Sequence, residues 1–200
     1  MAREEVILIR GDHEDLTLQF LYAWGRDSYL QRHHHANGTV DTVCQLTEST
    51  MDDLFHHAQE AGKKLLQNPY IQEIIPSMMN YYETEHCVFT HGWIPCTPIK
   101  IDAHTTEYVP MEDWRHASED AWNRARWING MEAAHGGVTE ESKAIVCGHW
   151  HCSYGHSHDE GRGSEFANGP DFSPYYGPGI IALDACTVVS KRINCMISDN

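Results

Sequence analysis

Three short apolar runs in this chain each stop abruptly at a turn that carries glycine and histidine, and no other feature limits the fold as much. "EEVILIR", residues 4–10, enters Gly11-Asp12-His13-Glu14; "HCVFT", residues 86–90, enters His91-Gly92; "KAIVC", residues 143–147, enters Gly148-His149-Trp150-His151. An aliphatic run without polar alternation predicts a strand covered on both faces, as in the parallel sheets of α/β folds. Turns at the ends of such strands collect functional groups along one sheet edge. Imidazole and carboxylate together suit Mn, Fe, Zn or Ni better than Ca, and glycine lets the backbone turn sharply beside a bound ion. His149 and His151 are two residues apart, so an extended backbone would point both rings the same way.

The rest of the chain alternates with these runs. Helices are predicted over residues 15–24, over 49–67 behind a Ser/Thr cap, over 69–82 with an interruption at Pro76, and over 117–134 with Ser118 as cap. "QRHHHANGT" is polar and contains Asn-Gly, which predicts a solvated loop bearing His33, His34 and His35. Residues 152–178 are rich in Gly, Ser, His and Pro and read as a long flexible loop, with His156 and His158 as the alternative of an accessory metal or substrate site. "GIIALDACTVVSKRINCMISDN" predicts a closing hairpin that turns at Ser190-Lys191. Trp114, Trp122 and Trp127 read as core residues, and Asp184 either as a group that caps or orients something near the hairpin or as a structural hydrogen-bonding residue.

Composition excludes several functions. The net charge of −15 with neutral histidines leaves too few clustered cations for a nucleic-acid or anionic membrane surface. A phosphorylated substrate stays open, because a metal supplies positive charge locally. No apolar run reaches the ~20 residues needed to span a bilayer, and the first residues show no secretory pattern. The seven cysteines are odd in number and scattered, which predicts reduced thiols in a cytoplasmic protein. Histidine is the outlier, at 15 residues.

The three turns, in their order, resemble the motifs of the calcineurin-like metallophosphoesterases, and in particular the branch of the serine/threonine protein phosphatases. "GDHE" resembles the family's GN-H-[ED], "THGW" its strand-end histidine motif, "CGHWH" its G-H-x-H, and the last segment its closing hairpin. "WIPC" and "ARWINGM" resemble a bacterial subgroup. The resemblance implies an α/β metallophosphoesterase fold, with two packed mixed β-sheets flanked by helices. It implies Asp12, in place of the family's asparagine, with His91 and His149 as metal ligands, and His151 as a ligand of a further ion. His13 falls on the general acid, with Glu14 or Asp15 to orient it. Arg126, or else Arg124, falls to phosphate binding; two apart on a helix, they point to different sides. The implied chemistry is hydrolysis of a phosphomonoester, on a phosphoprotein or a small molecule, by attack of a metal-bound hydroxide. The implied ions are a divalent pair of Mn or Fe/Zn type.

Two earlier motifs of the family, GD-x-H-G and GD-x-x-D-R-G, do not occur in this sequence. The expectation is therefore one domain over residues 1–200, the C-terminal portion of the fold with its first βα units missing, and a helical insertion at about 15–85. At most one well-formed metal site would remain, and the strand over residues 6–10 would present an edge through which copies could associate. The second reading is an inactive remnant of the same fold that binds without cleaving. The third is a histidine-rich structural or metal-storage protein.

Overall fold

The computed structural model describes residues 6–23, 28–101 and 106–197. They form two compact units, residues 1–79 and residues 80–200.

The first unit is helical. Helix α1 (Asp12–Ala23) begins inside the Gly-Asp-His-Glu turn, earlier than the pattern predicts. The reason is electrostatic: Asp12, Glu14 and Asp15 fill its first turn, where unpaired backbone N–H groups favour negative charge. The Glu14 carboxylate also reaches back to accept the Gly11 N–H at 2.7 Å, one half of a capping box. Helices α2 (Ser28–Ala36), α3 (Thr39–Thr47), α4 (Met51–His56) and α5 (Ala58–Gln67) follow. The predicted single helix over 49–67 is thus two, the first opened by a Thr50–Asp53 capping box. Val40 and Val43 lie one turn apart, as do Ala61 and Leu65, and with Phe20 and Leu54 they form the core of this unit. Asn68 ties the end of α5 to α3 by donating to the Leu46 carbonyl at 2.7 Å. A π-helical turn (Tyr70–Ile74) then leads into the short α6 (Ile75–Ser77), which ends the helical stretch before the predicted residue 82.

Two expectations fail in this unit. Residues 6–10 are not a sheet strand: they make one parallel bridge, Ile9 to Met79, and Val6 is 78% exposed. An aliphatic run becomes a strand only where neighbouring strands supply its hydrogen bonds, and the unit around it is helical; residues 4 and 5 lie outside the described residues. The His33–His35 segment is not a loop but belongs to α2. His34 is fully buried against the edge of Phe20, with ring centroids 5.7 Å apart, and among the described residues neither of its ring nitrogens has a hydrogen-bond partner.

Burial of His34, reinforced by His33 and His35 beside it, lowers its pKa below the ordinary 6.5. The ring is neutral when folded, whereas the unfolded chain takes up a proton. Stability is then complete above the unfolded value near 6.5 and declines as pH falls through it, by up to about 1.4 kcal/mol per pH unit. Amide exchange over residues 12–77 should show this unit opening more readily at about pH 5.5 than at about pH 7.5. His34→Leu should flatten that dependence, and an unchanged slope in the variant would rule His34 out as its source.

The second unit is α/β. Strands β1 (Tyr81–Glu83), β2 (Cys87–Thr90), β3 (Cys96–Lys100), β4 (Thr106–Pro110), β5 (Ala144–Cys147), β6 (Tyr175–Gly177) and β7 (Ile180–Ala182) make a five-stranded sheet of order β1-β2-β5-β7-β6 and a separate β3–β4 hairpin. The centre is parallel, β2 to β5 to β7, with antiparallel strands at both edges. Val88, Ile145 and Val146 are buried, as their unbroken apolar runs predict.

The predicted helix over 117–134 is broken in two. Helix α7 (Glu119–Ala125) is capped by Ser118, and α8 (Gly130–His135) is capped by Asn129. Helix α9 (Ser153–His158) and the short α10 (Thr187–Ser190) complete the unit. Trp93, Trp114, Trp122, Met131, Ile145 and Ile180 belong to one core, and Tyr81 stacks on Trp122 with centroids 5.4 Å apart.

The closing hairpin forms earlier than expected. It is β6–β7, turning at Pro178-Gly179, where Gly179 takes a φ of +72°. The Ser190-Lys191 turn caps a helical turn instead of joining strands. The sheet and the hairpin with their helices agree with an α/β class of mixed strands. No described helix is long and apolar enough to cross a membrane.

Candidate functional site

Strands β2 and β5 lie side by side and run the same way, with Val88 opposite Ile145 and Phe89 opposite Val146. Their C-terminal ends therefore emerge together, and the pairing extends one step beyond the strands: the Gly148 N–H donates to the His91 carbonyl at 2.8 Å. The backbone then reverses. His149 adopts φ +63°, a left-handed conformation that is costly for a residue with a Cβ, and the Trp150 N–H donates back to the Gly148 carbonyl at 2.7 Å. This turn sets the His149 ring against that of His91, with centroids 5.3 Å apart.

Each ring offers a nitrogen, and the two lie within 4.8 Å of one another. That span includes the ~3.4 Å between two tetrahedral ligands at ~2.1 Å from one ion. The imidazole pair is therefore close enough to share one metal ion.

Gly92 explains how His91 is held. A Cβ at this position would stand 2.5 Å from the Ala125 carbonyl oxygen and 2.6 Å from that of Arg126. Only glycine lets the turn after β2 press against the end of α7. There the next N–H, of Trp93, donates to the Ala125 carbonyl at 3.0 Å, an acceptor at the helix end that it shares with the Ile128 N–H at 3.1 Å. Trp127, half-exposed just past that helix end, meets the His149 ring edge to face at 5.5 Å. The reading of Trp127 as core is thereby corrected, while Trp114 and Trp122 are core as expected.

His151 does not join the pair. The left-handed turn at His149 breaks the alternation that would have aligned the two rings. The His151 Nδ1 lies 3.0 Å from the Ser153 hydroxyl, and its ring meets Phe166 and Phe172 edge to face, with centroids 4.8 and 6.2 Å away.

Arg126 is also placed differently from expectation. Its side chain is closed off from solvent, and its guanidinium donates to Glu119 at 2.5 Å and to Asn80 at 2.9 Å. It braces α7 against the start of the sheet, and engaging a phosphate would require breaking those bonds. Arg124 is exposed on the same helix.

In the helical unit, Asp12 is buried in the first turn of α1, and His13 is exposed beside it. The two carboxylates expected to orient His13 are committed elsewhere. Glu14 accepts from Gly11 and, at 2.5 Å, from the Tyr70 hydroxyl; Asp15 pairs with Arg10 at 2.5 Å. Burial and the Glu14 carboxylate together hold Tyr70 in its protonated form, its pKa raised well above the ordinary value.

The predicted loop over 152–178 gives way to α9 at one end and β6 at the other, and the segment 159–174 between them carries neither helix nor strand but is tied by side chains. His156, buried beneath it, has Nε2 3.0 Å from the Ser173 carbonyl, and its Nδ1 stands 2.8 Å from Glu160 and 2.7 Å from Arg162. Arg162 also pairs with Asp171 at 3.0 Å. Sequence reading missed this staple; the signal was the close sequence of His156, Glu160 and Arg162 in one polar stretch. His158 stacks on Tyr154, with centroids 4.3 Å apart. Asp184 accepts the Cys186 N–H at 2.7 Å, a structural hydrogen bond two residues along the chain; among the described residues no side chain caps the start of α10.

No family model, curated protein or solved structure matches this chain.

Proposed function

We propose that this protein is a metal-dependent phosphoesterase of the calcineurin-like type, hydrolysing a phosphomonoester at the end of strands β2 and β5. The observation that carries the reading is the His91–His149 pair: two imidazoles from separate sequence motifs, brought together by strand pairing, with the second held in a strained backbone conformation. Strain of this kind persists where the surrounding structure and the function demand it. The parallel β2-β5-β7 centre and the ordered motifs add support.

In this reading His91 and His149 hold one divalent ion, and the motif order assigns Asp12 to the same centre as its carboxylate. The ion, of Mn or Fe/Zn type, would polarise the phosphoryl group and neutralise the charge that develops on it. His13 gives a proton from its ring to the leaving oxygen. Arg124, exposed on α7, is better suited than Arg126 to meet a phosphate oxygen. The buried arginine acts one step back, fixing the helix end on which Gly92 rests.

The test is Mn-dependent hydrolysis of p-nitrophenyl phosphate by the whole chain. Activity should vanish in His91→Ala and fall about 100-fold or more in His13→Ala, the range expected for a positioned acid. Mn binding without turnover would instead favour the remnant that binds and does not cleave. Activity that survives in His91→Ala would defeat the proposal.

A further inference from the structure

From the imidazole pair an unbroken row of rings runs across the second unit. Trp150 stands 6.2 Å from His149, His151 6.0 Å from Trp150, and Phe166 4.8 Å from His151, between ring centroids. Phe172 flanks His151 at 6.2 Å on the same segment as Phe166.

Phe166 is 72% exposed, and its surroundings are not loose. The carbonyl of the preceding Glu165 accepts from the Ser153 hydroxyl at 2.7 Å, and the Glu165 carboxylate accepts from the Trp150 indole at 3.1 Å. On its other side the Ala167 N–H donates to the Ser164 hydroxyl at 2.9 Å. The far end of the segment is tied by Asn194, which donates to the Phe172 carbonyl at 2.7 Å. An aromatic side chain left in solvent on a backbone fixed at so many points is pre-organised, and pre-organisation lowers the cost of binding.

We infer that Trp150, His151 and Phe166 form a subsite for a planar aromatic ring, so that the ester cleaved at the His91–His149 pair carries an aryl or nucleobase group. This inference rests on the phosphoesterase reading above. Ring faces and edges attract aromatic groups of many kinds, whereas an aliphatic alcohol gains little from them. The charged group built into this row is the Glu165 carboxylate, which the indole already engages. A neutral ring therefore fits better than an anionic one.

The test uses the Mn-loaded whole chain and calorimetric titration with phenyl phosphate and with glycerol 3-phosphate. Phenyl phosphate should bind about tenfold more tightly, as expected for one stacked ring. In Phe166→Leu, which keeps apolar bulk and removes the ring, the two esters should bind alike, with Mn affinity and glycerol 3-phosphate binding unchanged. Phosphotyrosine and adenosine 5′-monophosphate then distinguish a phenolic from a nucleotide source of the ring, and a preference for either supports the subsite. Equal binding of all four esters by the unaltered chain would overturn it. So would a Phe166→Leu variant that keeps the full preference. Failure of the underlying reading looks different: neither phenyl phosphate nor glycerol 3-phosphate would then show Mn-dependent binding.

Discussion

Replacing His149 with glycine should abolish metal binding and cost the fold no more than replacing it with alanine. Every ordinary substitution ranks the other way, because glycine adds unfolded-state entropy. Here φ is +63°, a conformation that charges a Cβ-bearing residue about 1 kcal/mol and glycine nothing. Both variants lose the ring contacts to His91 and Trp127, so those losses cancel between them. Set against glycine's unfolded-state entropy of about 0.4–1 kcal/mol, that relief should leave the glycine variant at least as stable as the alanine variant, by up to about 0.6 kcal/mol.

Affinity for Mn should fall by more than about 100-fold in both variants, since even groups that merely orient a ligand are worth 10–100-fold. Thermal unfolding and Mn calorimetry on the two variants read the two effects separately. Unchanged Mn affinity would show that the pair is not a metal centre. Alanine more stable than glycine would show that the turn carries no strain.

The second large effect is expected at Gly92. The atoms that a new Cβ would strike there are the Ala125 carbonyl oxygen at 2.5 Å, the Arg126 carbonyl oxygen at 2.6 Å and the Arg126 carbonyl carbon at 2.8 Å. All are backbone, and the adjoining Trp93 is completely buried, so no side chain can swing aside. Gly92→Ala should destabilise the α/β unit by about 3 kcal/mol, toward the upper end for overpacked cores. It should also weaken Mn binding by moving His91 away from His149.

Gly136→Ala is the matched control. Its added Cβ meets carbonyl oxygens at 3.4 Å, on a backbone with φ −71°, and its stability should stay within about 0.5 kcal/mol of the parent. Chemical denaturation distinguishes the pair. A Gly92→Ala protein as stable as Gly136→Ala would mean that the end of α7 yields and does not position the histidine turn.

Much of the second unit could be read from residue order. Runs such as "CVFT" and "AIVC" have no polar alternation, and burial on both faces of a parallel centre is the stable outcome for them. Ser118 and the Thr50–Asp53 pair marked helix starts because a side-chain oxygen meets a bare N–H within three residues. The first run, through Ile9, has the pattern of a strand but makes a single bridge, because strand formation depends on partners that a local pattern does not reveal. The polar neighbours of His34 predict a solvated ring, yet the helix turns one ring of three inward.

The sequence by itself determined which groups this protein possesses: histidines next to glycines at the ends of apolar strands, in a fixed order, within an acidic chain. Those properties are local, set by chemistry and spacing over a few residues. The tertiary structure alone decided which histidines meet. His91 and His149 lie 58 positions apart and are joined by the β2–β5 pairing, whereas His151, two residues from His149, is turned away by a single left-handed φ. Long-range strand pairing and one backbone dihedral are properties of the packed chain, and no window of residues contains them.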